Sequence, residues 1–147
     1  MKGRLAVAAV LAGSLVAGGA TQVLARDVKL VGRLSGGSEV PGPGDPDGSG
    51  RAVIKVSVAQ STLCYSLTYS GIGEPNGAHI HKAPKGEAGD VVIALFGTST
   101  PSPAKGCVDA EKSVLRSIKR KPRAYYVNIH NEEYPAGALR AQLRKPS

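Results

Sequence analysis

Apolar and polar residues alternate with a period of two along most of the chain, the pattern of half-buried strands. Val28–Leu34 reads as a short first strand. In Arg51–Val58 the residues Ala52, Ile54, Val56 and Val58 share one side, and Leu63, Tyr65, Leu67 and Tyr69 then alternate against Cys64, Ser66 and Thr68. Ala78–Lys82 is a shorter strand, and Val91–Phe96 is a continuous apolar run suited to a central strand. In Ala124–His130 the residues Tyr125, Val127 and Ile129 oppose Tyr126, Asn128 and His130, and Ala138–Leu143 supplies the last strand. The Gly/Pro/Ser/Asp-rich Ser35–Gly50, the turns at 59–62 and 71–77, and the segments 83–89 and Gly97–Lys105 read as connections. Asp109 is placed to cap a helix of about ten residues, with Val114, Leu115 and Ile118 on one face and Pro122 ending it. About seven short strands with frequent turns predict an all-β antiparallel sandwich or Greek-key barrel with one short helix.

The first twenty-five residues stand apart from this pattern. Met1-Lys2-Gly3-Arg4 is a short basic segment, Leu5–Ala20 is uncharged, and Val23-Leu24-Ala25 has the small or apolar residues of a cleavage site. That is the layout of a secretory signal covering residues 1–25, with residues 26–147 as the exported domain. The uncharged run is shorter than the ~20 apolar residues that span a bilayer, so no stable transmembrane anchor is expected after cleavage. The expected location is secreted, periplasmic or extracellular.

Charge narrows the partners. The chain has 19 basic and 11 acidic residues, a net +8, and loss of Lys2 and Arg4 leaves 17 basic residues and a net +6. The one dense basic run, Lys119-Arg120-Lys121 with Arg123, lies at the end of the expected helix, where cations favour the dipole without any partner. With one Phe and no Trp for base stacking, nucleic acid is disfavoured. An anionic polysaccharide or an envelope surface suits a basic exported protein better. Cys64 and Cys107 read most simply as a disulfide closing a loop of about 44 residues, with free thiols or a soft metal site as alternatives.

All three histidines of the chain lie in two strand motifs, His79 and His81 in one and His130 in the other. Residues i and i+2 of a strand share a face, roughly 6.6 Å apart along its axis, so two imidazoles there can converge on one ion. A neighbouring strand would add the third, giving a three-nitrogen site suited to copper or zinc. Exposed histidines that hydrogen-bond to nearby loops are the alternative, with Glu87 and Asp90 as acids placed to orient an imidazole. Asp45-Pro46-Asp47-Gly48 reads as a turn, since no glutamate follows at calcium-loop spacing. No Gly-x-Ser-x-Gly elbow is present, and Glu132-Glu133 point apart if extended, so nothing here reads as catalytic.

The segments LSGGSEVP (34–41), TLCYSLTYSGI (62–72), AHIHKAPKGEAGDVVIALF (78–96), YYVNIHN (125–131) and PAGALRAQL (135–143), in that order and spacing, resemble the CHRD domain, the family named for the repeats of chordin. The likeness covers about Leu30–Leu143. It implies an extracellular β-sandwich, immunoglobulin-like or superoxide-dismutase-like, and a non-enzymatic binding module whose ligand is an unknown protein or an envelope or polysaccharide component. The family's usual Glu two residues before the last-strand arginine is replaced by Ala138. On this reading the ligand face is the outward side of the motif strands, bearing His79, His81, Asn128, His130, Arg140 and Gln142. A fainter resemblance to copper-zinc superoxide dismutases lies in the His-x-His strand, a later Val-x-His-type strand and Arg140 after Ala136-Gly137. It implies copper ligation by His79, His81 and His130. The bridging histidine and zinc cluster of those enzymes have no counterpart, so dismutase-like redox chemistry is the remote alternative.

Overall fold

The computed structural model describes residues 26–147, and the expected signal segment lies outside the described residues. Eight strands follow in chain order: β1 (Val28–Ser35), β2 (Ser49–Ser57), β3 (Thr62–Ser70), β4 (Pro75–Lys82), β5 (Val91–Phe96), β6 (Ala104–Asp109), β7 (Tyr125–Asn131) and β8 (Leu139–Gln142). One helix, α1 (Lys112–Arg120), joins β6 to β7. All pairings are antiparallel, in the order β5-β4-β7-β8-β1-β2-β3-β6. The sheet curls until its first and last strands, β5 and β6, touch, giving a nearly closed barrel. The path β4-β5-β6, with β7 returning beside β4, is a Greek-key connection.

Alternation explains the interior. Leu30 and Leu34, Ala52, Ile54 and Val56, Leu63 and Leu67, Ala78 and Ile80, Val127 and Ile129, and Leu139 and Ala141 are all fully buried in one apolar cluster. Each strand contributes every second residue, as the pleat requires. The amphipathic α1 adds Leu115 and Ile118 to the same cluster, which fixes its packing against β2. Truncations at such sites typically cost about 2–5 kcal/mol, so this cluster dominates the energetics of the fold.

Three expectations need correction. The segment Gly97–Lys105 is not all connection: β6 begins at Ala104 and pairs with β3 from Thr62↔Asp109 to Leu67↔Ala104. Asp109 therefore ends a strand and caps nothing, and α1 starts after Glu111, without a side-chain cap. The weak alternation of Ala-Lys-Gly-Cys-Val-Asp hides this strand, because Gly106 sits where an inward side chain would mark the period. Tyr65 occupies that place. A Cβ on Gly106 would lie 2.6 Å from the Tyr65 Oη, so the ring lies across the glycine. β5, expected in the centre of the sheet, is its first strand; Ile93 and Leu95 face the core while Val91 is 51 % exposed. A continuous apolar run does not tell a central strand from one at a seam.

Cys64 and Cys107 form a disulfide, and they stand directly opposite each other on β3 and β6. Tyr65 then reaches from β3 past β6 and donates a hydrogen bond to the Leu95 carbonyl of β5 at 3.2 Å. Its ring lies 6.3 Å from that of Phe96. The gap between β5 and β6 is thus bridged by side chains instead of a ladder.

Candidate metal centre

The outer face of β4, β7 and β8 carries the polar residues of the motif strands. β4 pairs with β7, with His79 opposite Asn128, His81 opposite Tyr126, and His130 opposite Gly77. The adjacency on which convergence of the histidines depends is therefore present. Ile80, between His79 and His81, is fully buried in the core, so the two imidazoles project from the other side. Gly77 leaves the space beside His130 free of a side chain, and a Cβ there would sit 3.6 Å from His79 Cε1.

The three histidines each offer one ring nitrogen within a cluster whose atoms all lie within 4.8 Å of one another. His79 Nδ1 is 3.1 Å from His130 Nε2. His81 Nδ1 donates to the Gly89 carbonyl at 2.8 Å, and His130 Nδ1 donates to the Pro135 carbonyl at 3.0 Å. Those carbonyls fix the tautomers, because an imidazole that donates through Nδ1 keeps its lone pair on Nε2. Two lone pairs, on His81 Nε2 and His130 Nε2, are thereby aimed into the cluster. His81 Nε2 is buried and has no hydrogen-bond partner. Nitrogens sharing one ion at ~2.0–2.1 Å sit roughly 3.3–3.5 Å apart. The wider separations must close by up to ~1.5 Å while the His79–His130 pair opens slightly, changes that χ rotations supply.

Burial holds all three imidazoles below the ordinary histidine range. For His79 the charges of His130 and His81 add to it; for His130 the Pro135 hydrogen bond opposes it and the charge of His81 adds to it. For His81 the Arg140 charge works in the same direction, while the Gly89 hydrogen bond and Asp90 oppose. Each shift favours the neutral imidazole, the form that ligates a metal.

The remaining polar residues of this face brace the cluster. Asn128 and Arg140, expected on an open ligand face, are 2 % and 1 % exposed, because two loops fold over them. The first is the Gly/Pro-rich segment after β1, docked through Asp45 N–H to the Ala138 carbonyl and through Asn128 Nδ2 to Glu39 Oε1. Its glycines permit that approach: a Cβ on Gly44 would meet the Ala138 carbonyl oxygen at 2.5 Å. Asp45 Oδ1 accepts the Asp47 N–H at 3.1 Å, confirming a turn there. The second loop, 83–90, is held by Arg140 Nη2 on the Pro84 carbonyl at 2.9 Å and by Gln142 Nε2 on the Ala83 carbonyl at 2.9 Å. That loop supplies the Gly89 carbonyl to His81. Tyr126 completes the wall, its ring stacked on His81 at 4.8 Å with the Arg140 guanidinium 3.5 Å from its centroid.

The sequence offers Tyr126 as a ring on which an outward imidazole can pack, and His81 does stack on it; the roles of Glu39 and of the two carbonyls were missed. Backbone carbonyls orient the imidazoles where Glu87 and Asp90 were considered, and both of those acids are exposed. Glu39 comes from the segment after β1, read as a connection and as part of the LSGGSEVP motif but not as a site residue.

Burial pushes the Glu39 carboxyl up to about 7, outweighing Arg140, the Val40 N–H and Asn128. A raised carboxyl pKa means that the folded chain binds a proton more tightly than the unfolded one, so stability falls as pH rises from about 4.5 to about 7. Glu39→Gln removes that linkage. The variant should gain on its parent by about 1–3 kcal/mol between pH 5 and pH 7.5 in urea unfolding. A constant difference across that window would show that Glu39 does not titrate there.

A family model described as the CHRD domain matches residues 30–143. No curated protein and no solved structure matches the chain.

Proposed function

The chain belongs to the CHRD domain family, and from that premise we propose that it is a binding module whose ligand is a copper or zinc ion held by His79, His81 and His130. One observation carries this reading: three neutral imidazoles converge, and the Nε2 of His81 is buried without a partner while its other nitrogen is fixed by a carbonyl. A buried acceptor left unpaired costs about 1–3 kcal/mol, a cost that an ion would remove. Imidazole donors suit both metals, and the usual affinity order places copper(II) above zinc. Asn128, Arg140 and Gln142 act as positioning residues: they hold the loops whose backbone orients the ligands, as outer hydrogen bonds do at metal sites.

With three histidines in the chain, this site takes one ion and has no bridging imidazole for a second. The reading is therefore metal binding without a dedicated reaction. The disulfide is characteristic of oxidising compartments. Together with the signal expected in residues 1–25 it supports an exported protein. No helix among the described residues is long and apolar enough to cross a membrane.

The test is metal content. Protein made without a histidine tag, stripped with EDTA and offered copper(II) or zinc(II), should retain a near-stoichiometric amount after gel filtration, read by plasma mass spectrometry. Failure to retain either ion would end the metal reading.

A further inference from the structure

Away from the histidines, two adjoining grooves are lined by cations. The first lies between Pro84, the end of α1 and the C-terminal segment, and presents Arg120, Lys121, Arg123, Arg144 and Lys145. The second crosses β1 and β2 and presents Arg33, Arg51 and Arg144. Arg144 belongs to both, so the grooves form one band. No carboxylate lines either of them. All seven basic residues are exposed, and among the described residues the ion pair formed is Lys55 with Asp27, elsewhere on the sheet.

The end of a helix accounts for Lys119, Arg120 and Lys121 through the dipole alone, but it does not account for β1 and β2. There Arg33 stands directly opposite Arg51 in the ladder. Like charges in that relation destabilise a sheet. A cross-strand Arg pair that continues into a cation-lined groove, with no acid beside it, is an arrangement that costs stability in the free chain and is relieved by a bound anion.

We infer that this band docks a linear anionic polysaccharide. The geometry is extended: cations run from Arg51 across Arg144 to Arg123, and the larger groove alone encloses about 590 Å³. That suits a polymer with repeated charges better than a single anion. Guanidinium groups bind sulfate and carboxylate oxygens in bidentate fashion, and five of the seven cations are Arg. No aromatic side chain lines either groove, so the band lacks the stacking platforms that single-stranded nucleic acid uses. The inference does not depend on the metal site.

Heparin is the probe, with uncharged dextran and a single-stranded DNA oligonucleotide beside it, measured by titration calorimetry at physiological salt. The parent protein should bind heparin, ignore dextran and bind DNA more weakly. Arg33→Gln/Arg51→Gln/Arg144→Gln should weaken heparin binding about tenfold or more, with a shallower salt dependence. Lys105→Gln/Lys112→Gln/Arg116→Gln removes the same charge elsewhere and should change binding by less than about threefold. The first variant should melt no lower than its parent, since it relieves the Arg33–Arg51 pair; a lower melting point would show that pair to be structural and overturn the argument. Equal losses in both variants would reduce the effect to net charge. DNA binding tighter than heparin, or no heparin binding, would also overturn the inference.

Discussion

His81→Ala is expected to erase the metal-dependent rise in melting temperature. In the parent, copper or zinc at about a hundred times its dissociation constant stabilises the fold by ~2.7 kcal/mol. For a domain of this size that is a shift of roughly 10 °C. His81 is the residue to remove because its Nε2 is buried and unpartnered and its Nδ1 is fixed on Gly89. The metal-free variant loses that hydrogen bond and the stack on Tyr126, a cost of about 1–2 kcal/mol. His79→Ala separates the two effects. His79 makes its one hydrogen bond to His130, so its removal should abolish the shift at a smaller cost to the metal-free fold. Retention of the shift in both variants would place the ion elsewhere or make it adventitious.

Replacing both Cys64 and Cys107 by Ser should remove a substantial part of the fold's stability. The bond closes a loop with a sequence separation of 43, for which chain entropy gives roughly 4 kcal/mol; about 2–4 kcal/mol is the expected loss in urea unfolding. The effect is also local. β6 has a ladder partner on one side, β3, and the disulfide pins its middle. Amides of β6 should therefore lose hydrogen-exchange protection before those of β1 and β2, which are paired on both sides. A loss below about 1 kcal/mol, or uniform deprotection, would mean that the ladder alone secures β6.

The barrel was legible wherever alternation is clean. β2, β3 and β7 declare their inward residues through a period of two, and the structure buries them, Tyr65 in part. The histidines were legible for the same reason, since i and i+2 share a face whatever the fold. β6 was not, because Gly106 removes the side chain that would have completed the pattern and Tyr65 of another strand fills the space. The burial of Asn128 and Arg140 was illegible for a different reason. Alternation tells which side of a sheet a residue takes, but not whether a loop 89 residues away in sequence, carrying Glu39, folds over it. The carbonyls of Gly89 and Pro135 leave no trace in residue type at all.

Glu39 shows a further limit of motif reading. Its carboxyl stands against Gly137 and Asn128, delivered by the loop after β1, a placement that the motif itself does not announce.

The bridged seam has a consequence for how the protein behaves among its own copies. A sheet that ends in two strands ordinarily offers two rows of unpaired N–H and C=O groups, each a template on which another chain can add a strand and start aggregation. Here the two terminal strands are turned towards each other, and the Tyr65 hydroxyl occupies the Leu95 carbonyl that an incoming strand would seek. The disulfide keeps β6 from swinging out to expose its row. Reducing conditions thus threaten more than thermodynamic stability: among the described strands, they open the seam at which a neighbouring copy can add a strand.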